Sequence, residues 1–261
     1  MTTIGLLHPG AMGAAVGAAL AANGHELLWA SAGRSEATAA RAADAGLADV
    51  EALPALLERS DVVLSVCPPH AAPGVAAQVA GFGGLFVDCN AIAPFTATAV
   101  ARTVEAGGAA YVDGGIVGPP PAGGARTRLY VSGPHAAEVA ALFAGTAVDA
   151  RDLGPEPTAA SALKMTYAAW TKGSAALVLA ALGAAKRLGV EAALRAEWDD
   201  SLPDLAARAE RARADATEKG WRWVGEMEQI ARTFADAGLP AGFHQAAAEV
   251  FAAGERGDAP R

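Results

Sequence analysis

The chain is short of the residues that define several large protein classes. It has two cysteines, Cys67 and Cys89, and five scattered histidines in 261 residues. No metal-ligand spacing surrounds either cysteine, so neither a disulfide scaffold nor a zinc site is expected, and a reducing cytoplasm is the default compartment. Charged residues are only 18%, with 20 Lys plus Arg against 28 Asp plus Glu, a net −8. Phosphate backbones reward net positive proteins, so nucleic acid is not an expected partner. Aromatic residues are 6% while apolar residues reach 52%. The apolar figure is inflated by alanine and overstates the core, although the chain can still bury a sizeable one.

A basic leader is also missing. Residues 3–25 carry no Asp, Glu, Lys or Arg but include His8, Pro9, Asn23 and five glycines. That composition suits a strand turning into a closely packed helix, not a signal peptide or a membrane span.

What is present is an alternation. Short apolar runs at 3–7, 25–30, 62–66, 85–88, 109–113 and 129–132 are separated by Ala-rich helical stretches through residue 153, the pattern of a parallel sheet covered by helices. The fold class predicted is therefore α/β, a Rossmann-type doubly wound sheet over 1–153 followed by an all-helical domain over 154–261. The break is Gly154-Pro155-Glu156-Pro157, and beyond it nothing reads as a strand. A first helix over about 158–188 would run about 45 Å at 1.5 Å per residue, longer than a lone domain of that size is wide. Residues Ala175 to Ala185 are apolar nearly all round. Such a helix must be buried somewhere, so a homodimer through the helical domain is expected.

The first strand, turn and helix read T-I-G-L-L-H-P-G-A-M-G-A-A-V-G. Gly10, Ala11, Met12 and Gly13 fall where a strand opens into a helix, and backbone amides with the helix dipole there favour a pyrophosphate. His8 stands where the usual fingerprint has its first glycine, and reads as a turn residue. An NAD site wants an acid at the end of the second strand; the sequence there is Leu28-Trp29-Ala30-Ser31-Ala32-Gly33-Arg34-Ser35. Ser31, Arg34 and Ser35 can surround a 2′-phosphate instead, so NADP(H) is expected in preference to NAD(H).

With Ser65-Val66-Cys67-Pro68-Pro69 and Asp88-Cys89-Asn90-Ala91-Ile92-Ala93-Pro94 added, the whole chain resembles the β-hydroxyacid dehydrogenase and 6-phosphogluconate dehydrogenase superfamily, in a divergent branch with a C-terminal domain of unassigned function. The resemblance implies that Gly10, Met12 and Gly13 form the phosphate turn and that Cys67, Pro68 and Pro69 lie near the nicotinamide ribose. It implies that Asn90, in place of the family's serine, touches cofactor and substrate, and that Lys164 in S-A-L-K-M-T-Y-A-A-W-T-K-G is the catalytic lysine. Gly118 matches the substrate loop, whereas Val117 replaces its acid-binding serine, Pro119 its next glycine, and Ala168 the asparagine that usually follows the lysine. The family's second substrate-side lysine is absent near Met227.

Lys164 lies among apolar neighbours, which makes its charged form costly and draws its pKa toward the range of a working acid or base. Tyr167 and Thr171 share its helix face at three and seven positions on. Trp170 and His244 are further candidates for the substrate pocket. The function expected is an NADP(H)-dependent oxidoreductase acting on a ketone or secondary alcohol, with a hydroxyacid-like substrate in view. An imine reductase on the same scaffold and a non-catalytic NADP-binding sensor are the alternatives.

Overall fold

The computed structural model describes residues 1–255. Its first half is an eight-stranded sheet built from β1 (Thr3–Leu7), β2 (Glu26–Trp29), β3 (Ala48–Asp49), β4 (Val62–Ser65), β5 (Leu85–Asp88), β6 (Ala110–Val117), β7 (Thr127–Ser132) and β8 (Val148–Asp152). The spatial order is β3-β2-β1-β4-β5-β6-β7-β8. β1 lies between β2 and β4, so the chain reverses its winding there, and a crevice opens at the carboxyl ends of the strands.

The expected sheet is all parallel; the observed one has β7 antiparallel to β6. The cause is the connection: nine residues, 118–126, rich in Pro and Gly, separate the two strands, too few for the dozen or more that a parallel crossover needs. β3 is two residues long and β8 carries three charges in five positions, so neither has the apolar run that marks the other strands. β6 runs four residues past its expected end through Gly114-Gly115-Ile116-Val117.

The covering helices are α1 (Ala11–Ala22), α2 (Glu36–Asp44), α3 (Leu53–Arg59), α4 (Ala72–Gln78), α5 (Pro94–Ala106) and α6 (Ala136–Leu142), with a short 3-10 turn at Pro69–Ala71 before α4. One apolar layer joins Ile4, Leu6, Val16, Leu64, Val87 and Leu129. The opposite layer joins Leu28, Leu56, Val63, Phe86, Val100 and Tyr111. Neutral strands with apolar residues on both faces are what a sheet covered on both sides requires.

α7 (Ala159–Arg187) is one continuous helix. The chain divides into two compact units between Lys164 and Met165, and the first turns of α7 are tied to the sheet. Ser161 donates its N–H and Oγ–H to the Asp113 carboxylate on β6, at 2.7 and 2.6 Å. Ala160 donates its N–H to Ser132 Oγ on β7 at 3.0 Å. These bonds satisfy helix-start donors that otherwise lack partners.

The second unit runs from Met165 and contains α8 (Glu191–Ser201), α9 (Leu205–Asp236) and α10 (Gly242–Glu255). Val178, Leu182, Trp198, Ala209 and Ala212 make one of its cores. A buried ion pair joins Lys172 to Glu226, with Lys172 also 5.9 Å from the Trp223 ring centroid.

Candidate active site

Gly10 and Gly13 lie where β1 opens into α1. Gly10 is the N-cap of α1 and no side chain caps the helix start, which leaves its first amides available to an anion. A side chain at Gly10 would meet nothing nearer than the His8 carbonyl at 4.0 Å, so the position is open on the ligand side. Gly13 is different: a Cβ there would come within 3.0 Å of the His8 carbonyl oxygen and 3.5 Å of Val66. Its lack of a side chain lets the helix start press against the ends of β1 and β4. Ala11 is exposed and Met12 half-buried beside it.

At the end of β2 the picture is mixed. Arg34 is exposed on the loop. Ser35 caps α2, its Oγ accepting from Thr38 N–H and lying 3.0 Å from Thr38 Oγ1, so its hydroxyl is already engaged. The Ser31 N–H donates to Asp49 of β3 at 3.2 Å, a carboxylate that also accepts from Glu51 N–H. A second cation joins the loop: Arg41 of α2 donates to the Pro9 carbonyl at 3.4 Å and to Thr38 Oγ1 at 3.1 Å. Arg41, Thr38 and Asp49 went unread in the sequence; the signal was the i, i+3 spacing of Thr38 and Arg41 on a helix whose start already faced the turn.

The Cys67-Pro68-Pro69 loop is held from below. Asn90 is 2% exposed. Its Oδ1 accepts from Cys67 N–H at 2.5 Å, its Nδ2 donates to Ser65 Oγ at 3.0 Å, and its own N–H donates to Asp88 Oδ1 at 2.9 Å. Burial and these partners make Asn90 a brace for the Cys67-Pro68-Pro69 loop. Pro68 is exposed and Pro69 half-buried, with Pro69 starting the 3-10 turn. The Cys67 thiol is pushed up to about 11 by burial and by the nearby Asp88 charge, so it is a neutral thiol.

Two buried carboxylates lie under this loop. Asp88 is pushed up to about 7 by burial, against the opposing bond from Asn90, with the Asp113 charge adding to the rise. Asp113 is pushed up to about 6 by burial, and less far than burial alone would take it because Ser161 and Ser132 donate to it.

Two adjacent glycines on β6 then bring the site together. A Cβ at Gly114 would lie 2.8 Å from the Asp88 carbonyl oxygen and 3.4 Å from Cys89 Cα. A Cβ at Gly115 would lie 2.9 Å from the Ala160 carbonyl oxygen and 3.0 Å from Lys164 Cβ. The end of β5 and the start of α7 thus crowd opposite sides of the same strand, and Lys164, half-buried, stands at the carboxyl end of the sheet. Gly118 closes β6 with φ +118°, and a Cβ there would meet the Arg126 carbonyl oxygen at 2.5 Å; it is held to glycine by the hairpin.

Arg128 was missed by the sequence reading. It is in register with Val117, and alternation puts it on the same face of β7 as Tyr130 and Ser132, of which Ser132 holds the start of α7. Its Nε is buried without a partner, while the neighbouring Asp149 is engaged by Arg151 at 2.6 Å.

The remaining predicted residues belong to the helical unit. Tyr167, Trp170 and Thr171 are exposed on α7, and Thr171 Oγ donates back to the Tyr167 carbonyl at 3.3 Å. His244 is buried, 4.4 Å from the Phe234 ring, with Nδ1 unpartnered, and burial lowers its pKa. It lines an apolar cavity of about 570 Å³ with Trp170, Leu177, Val178, Trp198 and Phe243. Among the described residues no cluster of three or more His, Cys, Asp or Glu side chains is placed to hold a metal ion.

An open glycine at a helix start, an uncapped first turn, cations on the adjoining loop and a braced loop across the crevice define a dinucleotide-binding protein of the Rossmann class. The residues present fit that cofactor, with the Gly10 to Gly13 turn for its pyrophosphate. The chain belongs to the family described as the NAD binding domain of 6-phosphogluconate dehydrogenase, which matches residues 2–144. Residues 185–254 match a domain of unknown function, DUF1932. A conserved hypothetical protein from Sinorhizobium meliloti 1021 is 29% identical with a TM-score of 0.74, covering 98% of this chain and 89% of that one. A conserved protein of unknown function, described as structurally similar to 3-hydroxyacid dehydrogenases, is 26% identical with a TM-score of 0.73 over 99% of this chain and all of its own. An uncharacterized 28.5 kDa protein from Methanothermus fervidus is 28% identical over 60% of this chain, and the match spans 61% of that relative's length. The fold is shared, at 20% and 23% identity, with a 3-hydroxyisobutyrate dehydrogenase from Mycobacterium tuberculosis (TM-score 0.72; 99% and 95% covered) and an imine reductase from Streptomyces aurantiacus (0.56; 98% and 95%).

Proposed function

We propose that the chain uses NADP(H) to interconvert a carboxylate-bearing ketone and its secondary alcohol, with Lys164 as the general acid and base. The observation that carries this is the packing of Lys164 on Gly115, beside the end of β5 and the loop braced by Asn90. When bound, the nicotinamide gives or takes the hydride. Lys164 as ammonium stabilises the oxygen on which charge develops and delivers its proton; as amine it accepts the hydroxyl proton in the reverse direction. Asp113 and Ser161 set where the start of α7 sits and hence where that amine stands. Asn90 holds the loop on which the ring would rest.

The preference for the phosphorylated cofactor is supported by Arg34 with Arg41 and Thr38 at the end of β2. A guanidinium offers a phosphate charge and paired donors together. An acid-bearing substrate is supported by Arg128, which stands across from Val117, the position where an acid-binding serine is missing. The second reading, reduction of a C=N bond, is favoured by Val117 itself, since an imine needs no acid anchor.

A homodimer formed through the helical unit is part of the same reading. Trp170, Leu177 and Phe243 are exposed around one apolar cavity; a second copy of this apolar helix is the occupant that fits, since contiguous apolar surface of this kind marks association sites. The cytoplasm is the compartment that fits two free thiols.

NADPH oxidation measured over a panel of ketones, hydroxyacids and cyclic imines tests the reading. Turnover of ketoacids above their esters supports it. Turnover confined to imines replaces it with the second reading.

A further inference from the structure

His8 occupies the one position in the phosphate turn where glycine would cost least. Its φ is +65°, a left-handed conformation that side-chain-bearing residues adopt at a cost, and that persists where surrounding structure enforces it. The ring is half-buried. Its Nδ1 is covered and has no hydrogen-bond partner, which leaves Nε2 as the nitrogen on the open edge. A covered lone pair is cheaper than a covered N–H without an acceptor, so the proton of the neutral ring sits on Nε2.

The charge around it points the same way. Burial, and after it the Arg34 guanidinium, lower the His8 pKa to about 4, so the ring is neutral at any working pH. Arg41 of α2 lies on the carbonyl of the next residue, Pro9, and the uncapped start of α1 follows at Gly10. A strained neutral donor beside the Arg34 charge and just before an uncapped helix N-terminus is matched to an anion.

Resting on the cofactor reading above, we propose that His8 is a cofactor-contacting residue: the turn holds its imidazole in left-handed strain so that Nε2–H donates to a phosphate oxygen of the dinucleotide. The sequence keeps a strained residue where glycine fits because the ring contributes a contact that glycine lacks. The oxygen belongs either to the pyrophosphate or to the 2′-phosphate, and the two cofactors separate these sources.

The test compares the wild type with His8→Gly and His8→Asn, using calorimetric binding of NADP⁺ and of NAD⁺ and thermal melting without cofactor. His8→Gly removes the strain, and its melting temperature is expected to rise by a few degrees while NADP⁺ binding weakens about tenfold, the scale of a hydrogen bond to a charged group. Asparagine tolerates the left-handed backbone and keeps a donor, so His8→Asn falls between. Equal weakening for both cofactors assigns the pyrophosphate; weakening for NADP⁺ alone assigns the 2′-phosphate. Nitrogen-15 NMR of the histidine ring is expected to show the proton on Nε2 in the free protein. Unchanged affinity in His8→Gly, or the proton on Nδ1, overturns the proposal and leaves the cofactor reading standing. Absence of any dinucleotide uptake by the wild type overturns both.

Discussion

The sheet-bearing unit and the helical unit use buried polar groups differently. In the first, Asp88, Asn90, Ser65 and Cys67 form one connected set, and Asp113, Ser132 and Ser161 another. Both sets position main chain around a crevice. In the second, Lys172 and Glu226 pair with side chains only 14% and 11% exposed, and several large apolar residues are exposed: Trp170 at 68%, Leu177 at 71% and Phe243 at 80%. The contrast teaches that the main chain around the crevice is fixed by networks within one unit, whereas the helical unit holds itself together locally and offers apolar surface outward.

The sharpest way to break that comparison is to remove the reactive group alone. Lys164→Ala is expected to lower kcat by about 10² to 10⁴ with NADP⁺ affinity unchanged, the usual worth of a general acid–base group; steady-state kinetics with calorimetry checks it, and equal activity would falsify the assignment. Next in size is the helical unit's ion pair. Glu226→Ala leaves the Lys172 charge buried and unpaired and is expected to destabilise by about 3–5 kcal/mol, while the double change Lys172→Met, Glu226→Leu recovers most of the loss. Denaturant melts distinguish the two. Gly115→Ala brings a Cβ within 2.9 Å of the Ala160 carbonyl oxygen, main chain that has no easy way to yield. It is expected to displace Lys164 and to lower kcat at least about tenfold, with KM for NADPH changed less, since small misplacements of a catalytic group are costly.

The smallest effect is a dependence on pH. Asp113 and Asp88 have folded-state pKa values raised to about 6 and about 7, above the unfolded value near 4. The folded state therefore holds protons the unfolded state has lost, and their contribution, complete below about pH 4, falls away as pH rises through 6 to 7. Asp113→Asn is expected to flatten part of that slope in melts across the range. An unchanged slope removes Asp113 from the account.

The sequence already made the crevice visible, because glycine spacing and apolar runs report directly on close approach and strand burial. Gly10, Gly13 and Lys164 needed no structure to be singled out. The Asp113 to Ser161 tie was hidden because its partners are far apart in the chain and a buried aspartate carries no local pattern. Arg128 was hidden because its meaning lies in its register with Val117, which depends on how a nine-residue hairpin connection folds back. Asn90 was singled out for a ligand contact, and its bracing of the Cys67 loop was hidden because Cys67 and Ser65 lie more than twenty residues away in the chain. The helical unit gave least, since alanine tolerates either face of a helix and dilutes the amphipathic signal.

A crystal structure of the chain with NADP⁺ tests the central claim most directly. The account predicts the pyrophosphate on the amides that follow Gly10 and the nicotinamide against the Cys67 to Pro69 loop, with its C4 face turned toward the Lys164 amine. A nicotinamide ring placed away from that amine, with the cofactor otherwise fully bound, would contradict it.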